Sequence, residues 1–143
     1  MAKKVERTRN GGKWTEAEFK SRIVSSLRQI SSYWKPKQDC IRKARVSTGK
    51  YRCASCKLIV PSTIQGVWKS GKKKGKKRKI KNILADHISP VIDPHKGFID
   101  WNTYIERMFI ETGWQALCKD CHDIKTKEER AVATKRKRDE KKA

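Results

Sequence analysis

Two Cys-x-x-Cys pairs are the part of this chain whose residue types and spacing are best suited to chemistry. Cys53 and Cys56 form the first pair, and Cys118 and Cys121 form the second. Four thiolates are the closed tetrahedral set that a structural zinc ion prefers, and in a reducing compartment such pairs indicate metal binding rather than disulfides. The sequence therefore predicts a structural Zn²⁺ site. Cys40, the fifth cysteine, is interpreted as a small apolar side chain buried on a helix, with a reactive thiol as the alternative.

Three further residues carry groups that bind cations or move protons: Asp86, His87 and His122. A carboxylate, an imidazole that titrates near neutrality and a second imidazole can hold a hard divalent cation and activate water beside it. On a helix, Cys118 and Cys121 share a face, whereas His122 is turned by about 100 degrees from Cys121. The thiolates can therefore face zinc while His122 faces the strand that carries Asp86 and His87. This combination favours a nuclease built on a zinc-stabilised scaffold.

Two helices are predicted before the first cysteine pair. Thr15 and Glu18 form a capping box, and apolar residues follow it at helical spacing. Pro36 suits the first turn of the second helix, whose apolar pattern ends at residues 47–49. Residues 14–48 are therefore predicted to form an N-terminal helical hairpin, which either lies across a duplex or only shields the metal module.

The candidate site residues are predicted to lie on short elements in the second half of the chain. An apolar strand ends at Asp86 and His87, a second strand covers residues 114–117, and a helix-friendly segment begins at Lys119. Residues 49–132 are therefore predicted to form one zinc-stapled α+β domain.

The charge of the chain points to a polyanionic partner. Its 143 residues include 37 Lys and Arg against 15 Asp and Glu, for a formal net charge of +22, and nucleic acid is the expected partner. The length suits one compact domain. A membrane partner would require a long apolar run or a basic helix with a broad apolar face, and neither is present. No signal peptide is recognised, and a cytoplasmic location is expected.

Three basic segments lie outside the predicted core. Residues 1–13 are predicted to be a flexible basic arm, and residues 133–143 a basic tail that frays. Residues 69–81 are predicted to be an exposed lysine-rich loop, suited to the tip of a hairpin, that binds phosphates without reading sequence. A nuclear-localisation signal would have the same composition. The predicted nucleic-acid contacts in this loop are Lys72, Lys73, Lys74, Lys76, Lys77, Arg78 and Lys79.

The order of these motifs resembles that of the HNH, or ββα-metal, endonucleases. The resemblance lies in Cys-x-x-Cys at 53–56, Asp-His-Ile-x-Pro at 86–90 and Gln-x-Leu-Cys-x-x-Cys-His-x-x-Lys-Thr at 115–126. Segments 97–101 and 105–109 also look like the small HNH proteins of tailed bacteriophages. The resemblance implies a zinc-stabilised ββα-metal module, preceded by the helical hairpin, that nicks or cuts double-stranded DNA. It implies no small-molecule substrate, and a host-cell cytoplasmic location if the protein is phage-encoded.

The resemblance also implies a role for each candidate residue. His87 is the general base that takes a proton from the attacking water, and Asp86 and His122 hold the catalytic divalent cation. Mg²⁺ is the default ion, and Mn²⁺ tolerates an imidazole ligand better. Lys125 either contacts the substrate phosphate or serves the C-terminal half of its helix. Gly113 stands where the family has an Asn that braces the loop behind the catalytic His.

Two other classes of function remain open. A zinc-stabilised nucleic-acid-binding module without catalysis would explain the charge, and Asp86 and His87 would then be structural. An RNA-associated or ribosome-associated zinc protein is the third hypothesis, because the lysine-rich loop cannot distinguish A-form from B-form backbone.

Overall fold

The computed structural model describes residues 1–143 and has four helices and seven short strands, which confirms the mixed α+β class. The helices are α1 (Glu16–Ser31), α2 (Lys35–Ala44), α3 (Trp101–Met108) and α4 (Lys119–Lys142). The strands are β1 (Arg45–Ser47), β2 (Lys50–Arg52), β3 (Ile59–Pro61), β4 (Thr63–Val67), β5 (Lys77–Lys81), β6 (Ile83–His87) and β7 (Trp114–Cys118). None of the helices combines the length and the apolar character needed to cross a bilayer.

The chain divides into two compact units, Met1–Trp34 and Lys35–Ala143. In the first unit, α1 begins with the predicted capping box: the Thr15 hydroxyl accepts from the Glu18 N–H at 3.1 Å, and the Glu18 carboxylate accepts from the Thr15 N–H at 2.7 Å. Upstream of the box, Arg9 and Trp14 form an antiparallel bridge, so the predicted flexible arm is closed into a turn at its end.

The two helices predicted to form one hairpin belong to different units, α1 to the first and α2 to the second. The second helix also ends earlier than its sequence pattern predicted. It stops at Ala44, and residues 45–47 instead form β1, which pairs with β2 in the antiparallel sheet β1-β2-β3. Pairing with β2 gives these residues partners that a local pattern cannot reveal.

Strands β6 and β7 form an antiparallel pair that leads directly into α4. In the register of this pair, Asp86 lies opposite Gln115 and His87 lies opposite Trp114. The core beneath the pair is small, and its buried residues Cys53, Leu117 and Cys118 form one cluster. Both strands were predicted from their apolar residues, and the helix after them was predicted from its composition. The resulting strand–strand–helix unit carries Asp86, His87, His122 and the second cysteine pair.

The lysine-rich segment forms one arm of a hairpin rather than a loop over its whole length. Residues 77–81 form β5, which pairs with β4, so only residues 68–76 form the exposed connection. Ile80 lies opposite Ile64 in this hairpin. A Cβ at position 66 would collide with the Ile80 side chain, so glycine suits this position. Apart from Ile80, the β5 side chains are exposed cations.

The C-terminal segment is helical, which corrects the prediction that residues 133–143 fray. Helix α4 continues to Lys142, and Arg136 pairs with Glu140 at 2.9 Å. Arg136 also donates to the carbonyl of Pro94 at 3.1 Å. Good helix formers, a pair four residues apart and this tertiary contact together extend the helix.

Candidate metal centres and active site

The four paired cysteines meet in one cluster, as the sequence predicted. Their sulfur atoms all lie within 4.8 Å of one another, and the Cys56 and Cys118 sulfurs are 4.0 Å apart. Tetrahedral zinc with bonds of about 2.3 Å places its sulfurs about 3.8 Å apart, so the cluster fits such an ion. Cys53 is fully buried and Cys118 nearly so, whereas Cys56 is exposed. The cluster could therefore bind a metal such as zinc.

Local backbone geometry explains why the first pair forms a ligand-holding turn. Lys57 adopts a φ of +64°, in the left-handed region, and its N–H donates to the Cys53 carbonyl at 3.0 Å. The Cys53 N–H donates to the Leu58 carbonyl at 3.0 Å, which closes the turn. The Cys118 N–H donates to the Cys53 sulfur at 3.3 Å and so links the two pairs. Cys118 is also the N-cap residue of α4.

The two buried thiols differ in acidity. Burial alone would raise the pKa of Cys53, but N–H groups of Cys118, Cys56 and Ser55 outweigh it and lower the pKa to about 6. Burial raises the pKa of Cys118 to about 12. Cys53 is therefore ready as a thiolate near neutral pH, and Cys118 must release its proton when a metal binds.

Asp86 and His122 lie close together at a second point, where β6 meets the first turn of α4. The Asp86 Oδ1 and His122 Nε2 atoms are 3.9 Å apart, and both side chains are largely buried. Two ligand bonds of about 2.1 Å span about 3.0 Å at a right angle and about 4.2 Å in line, and the observed separation lies between these limits. The rotation expected between Cys121 and His122 is therefore observed: the thiol lies in the cluster and the imidazole faces Asp86.

The other oxygen of Asp86 is occupied by protein donors. Oδ2 accepts from the Lys125 ammonium and from the Gln115 side-chain amide, each at 3.0 Å. Lys125 also contacts Glu129 at 2.5 Å and donates to the His87 carbonyl at 3.1 Å. Burial would lower the pKa of Lys125, but its bonds to Glu129 and Asp86 prevail and raise the pKa. The sequence predicted that Lys125 contacts a phosphate or serves the C-terminal half of its helix. In the structure its ammonium contacts Asp86 and the His87 carbonyl.

Gln115 and Glu129 were not singled out from the sequence. Gln115 lies directly opposite Asp86 in the β6–β7 register, so its role becomes visible only when the two strands are aligned. Glu129 lies four residues after Lys125 on α4, a spacing at which helical side chains of opposite charge meet.

His87 is held in one orientation at the end of β6. Its Nε2 lies 2.8 Å from the Met108 carbonyl oxygen, and its ring packs on Trp114 with the ring centres 4.0 Å apart. A carbonyl can only accept, so Nε2 carries the hydrogen in the neutral ring and Nδ1 keeps a free lone pair. Burial lowers the pKa of His87, against the opposing effects of the Met108 carbonyl and Asp86, so the neutral ring dominates at pH 7.

The cations predicted to contact nucleic acid on the hairpin are all exposed. Residues 61–85 contain no acidic side chain that could pair with them. Trp68, at the end of β4, lies 4.2 Å from the Arg78 guanidinium and 5.8 Å from the Lys73 ammonium, measured to the ring centre. The β4–β5 hairpin thus presents positive charge around one partly exposed indole.

Cys40, the unpaired cysteine, lies on α2 and outside the cluster. Its side chain is half-buried, and burial raises the pKa of its thiol. A thiol in that state is a poor nucleophile, in agreement with a packing role.

Comparison of the chain with protein-family models, curated proteins and solved structures found no match. The fold and the cluster define a small mixed α+β protein with four helices, small antiparallel sheets and four cysteines that could bind a metal such as zinc.

Proposed function

We propose that this chain is a metal-dependent DNA endonuclease of the HNH, or ββα-metal, type. The observation that carries the proposal is the 3.9 Å separation of Asp86 Oδ1 and His122 Nε2, with His87 beside Asp86 at the same strand end. The unit β6–β7–α4 has the strand–strand–helix order that the motif resemblance implies. In this proposal the cysteine cluster binds Zn²⁺ and fixes the start of α4, and thereby His122.

His87 acts as the general base in this proposal. Its Nε2–H donates to the Met108 carbonyl, which leaves the Nδ1 lone pair to accept a proton from water attacking phosphorus. The Trp114 ring, which packs against the imidazole at a tilt of 40°, limits its rotation. Neighbouring residues on a strand point to opposite faces, so His87 and Asp86 flank the end of β6. The scissile phosphodiester therefore lies across that strand end.

Asp86 and His122 hold the catalytic cation in this proposal. When bound, Mg²⁺ or Mn²⁺ supplies positive charge that polarises the phosphate and stabilises the leaving 3′ oxygen. A carboxylate oxygen and an imidazole nitrogen form a mixed donor set, which Mn²⁺ accepts more readily than Mg²⁺ does. Gln115 holds the carboxylate from the neighbouring strand.

Double-stranded DNA is the proposed substrate, and the β4–β5 hairpin is its main phosphate contact. The exposed cations of the hairpin have no acidic neighbours in sequence, so they are free to replace the counterions of a duplex. Contacts of this kind are independent of base sequence and weaken steeply as salt rises.

The test is cleavage of supercoiled plasmid by the zinc-loaded full chain with Mg²⁺ or Mn²⁺. General-base catalysis contributes about 10²- to 10⁴-fold to a reaction rate, so the cleavage rate of His87→Ala should be lower than that of the wild type by this factor. His95→Ala is the matched control, because His95 is an exposed histidine in a turn outside the site. Equal rates for His87→Ala and the wild type would contradict the assignment.

One observation favours a second function, a zinc-stabilised nucleic-acid-binding protein without catalysis. Lys125 pairs with Asp86 at 3.0 Å, and such a pair could be purely structural. A chain of that class would bind DNA tightly and leave the plasmid intact with Mg²⁺, Mn²⁺ or any other divalent cation.

A further inference from the structure

We propose that Lys125 is the resident countercharge of the candidate cation site, where it orients Asp86 and fixes the backbone of His87. This inference deepens the proposed nuclease function and rests on it. Lys125 is a positioning residue in this scheme, because it acts through Asp86 and His87 rather than on the phosphate.

The two oxygens of Asp86 have different surroundings. Oδ2 accepts from Lys125 on α4 and from Gln115 on β7, each at 3.0 Å. Oδ1 faces His122 Nε2 at 3.9 Å. Two donors from two elements fix the plane of the carboxylate, since rotation about its Cβ–Cγ bond would break both contacts. Oδ1 is therefore held toward the place where a cation would bind.

The charges around Asp86 explain why a lysine is suited to this position. The side chain of Asp86 is only 16% exposed, and a carboxylate that is largely removed from water needs a partner of opposite charge. Lys125 supplies that charge and is itself shared with Glu129 at 2.5 Å. The charges of the two carboxylates, Asp86 and Glu129, and of the Lys125 ammonium sum to one negative charge. The site is thus stable without a divalent cation and still attracts one.

Lys125 also braces the backbone at the end of β6. Its ammonium donates to the His87 carbonyl at 3.1 Å, and the Ile88 N–H donates to the Gly113 carbonyl at 2.9 Å. Gly113 has no side chain with which to support the end of β6 and adopts a φ of +98°. The peptide after His87 is therefore held on one side by Lys125 and on the other by the Gly113 backbone.

The first test is thermal unfolding of the zinc-loaded full chain, with and without Mn²⁺. Lys119→Met is the matched control for Lys125→Met, since Lys119 is also on α4 and pairs with an acidic residue four positions later. Without Mn²⁺, Lys125→Met should lower the Tm by about 5 °C more than the control does. In an Asp86→Asn background that difference should shrink by at least half, because the charge that needs a partner is gone.

Added Mn²⁺ provides a second reading of the same variants. At saturating Mn²⁺ the cation replaces the positive charge that Lys125→Met has lost beside Asp86, so Mn²⁺ should raise the Tm of Lys125→Met more than that of the wild type. Equal Mn²⁺ stabilisation of both proteins, or an undiminished Tm loss in the Asp86→Asn background, would overturn the countercharge role. These readings do not depend on cleavage.

The second test separates positioning from phosphate contact. At saturating Mn²⁺, Lys125→Met should lower kcat for plasmid nicking by about 10- to 100-fold, the usual effect of losing a residue that orients a metal ligand. KM and the salt dependence of DNA affinity should stay at wild-type values, and Lys125→Arg should recover part of kcat. A lost phosphate contact would instead raise KM and reduce the salt slope by about 1, and would overturn the inference.

The two proposals fail in different ways. A wild-type chain that never cuts DNA overturns the nuclease, and the Tm measurements still decide whether Lys125 balances Asp86. A wild-type chain that cuts in a His87-dependent manner, with Lys125→Met matching its kcat, overturns only the role of Lys125.

Discussion

Removing one cysteine of the cluster that contributes nothing to packing should reveal how much a bound metal stabilises the fold. Cys56 is the suitable position, because its side chain is exposed whereas Cys53 is fully buried in the small core. Cys56→Ala therefore removes a ligand without opening a cavity. Cys40→Ala is the control, since Cys40 lies outside the cluster. Any zinc-dependent difference between these variants reports on coordination alone.

The expected magnitude follows from linkage. A metal present at about 1,000 times its Kd stabilises the folded state by about 4.1 kcal/mol. Losing even an outer-sphere partner weakens metal binding by up to about 100-fold, and losing a direct ligand should weaken it at least as much. Weakening by about 100-fold removes about 2.7 kcal/mol of the zinc stabilisation, which lowers the Tm of a chain of this size by about 9 °C.

The assay is thermal unfolding followed by circular dichroism, with zinc present and again after chelation. Zinc content is measured in parallel on the same samples. We expect Cys56→Ala to lose its zinc and to have a lower Tm than the wild type. The chelator should lower the Tm of the wild type to nearly that of Cys56→Ala. A Cys56→Ala protein that keeps both its zinc and the wild-type Tm would refute the four-thiolate site, as would a wild type that is indifferent to the chelator.

Two further predictions concern the candidate active site and the hairpin. Because burial lowers the pKa of His87 from 6.5, plasmid nicking should be near its plateau at pH 7 and should decline only below pH 6.5, as the ring gains a proton. A decline that begins above pH 7 in the rate profile would exclude this imidazole as the base. Neutralising Lys73 and Lys74 with Gln should reduce the slope of log affinity against log salt by about 1.8 at unchanged Tm, whereas Lys3→Gln with Lys4→Gln should have a smaller effect. Fluorescence anisotropy of a labelled duplex at several salt concentrations measures both slopes.

The local features of the fold could be predicted because their causes are local. The capping box at Thr15 depends on residues three positions apart, and the cluster depends on two short cysteine spacings. The position of His122 follows from helix rotation alone. These features require no knowledge of strand register.

The features that sequence patterns did not reveal depend on tertiary partners. Residues 45–47 become β1 because β2 lies beside them, and α4 reaches Lys142 partly because Arg136 contacts Pro94. The contact between Lys125 and Asp86 joins residues far apart in the chain, and no local sequence pattern around either residue predicts it. Sequence spacing was sufficient to predict which residues are candidate ligands. The contacts that hold these side chains in place are visible only in the structure.

The adjacency of Cys121 and His122 on one turn of α4 limits how this part of the chain can change. Inserting or deleting a single residue between Cys118 and His122 would rotate all the following side chains of α4 by about 100 degrees around the helix axis. Either the thiol or the imidazole would then point away from its partners. Substitutions on the outer face of this turn can accumulate, but its length has to stay constant.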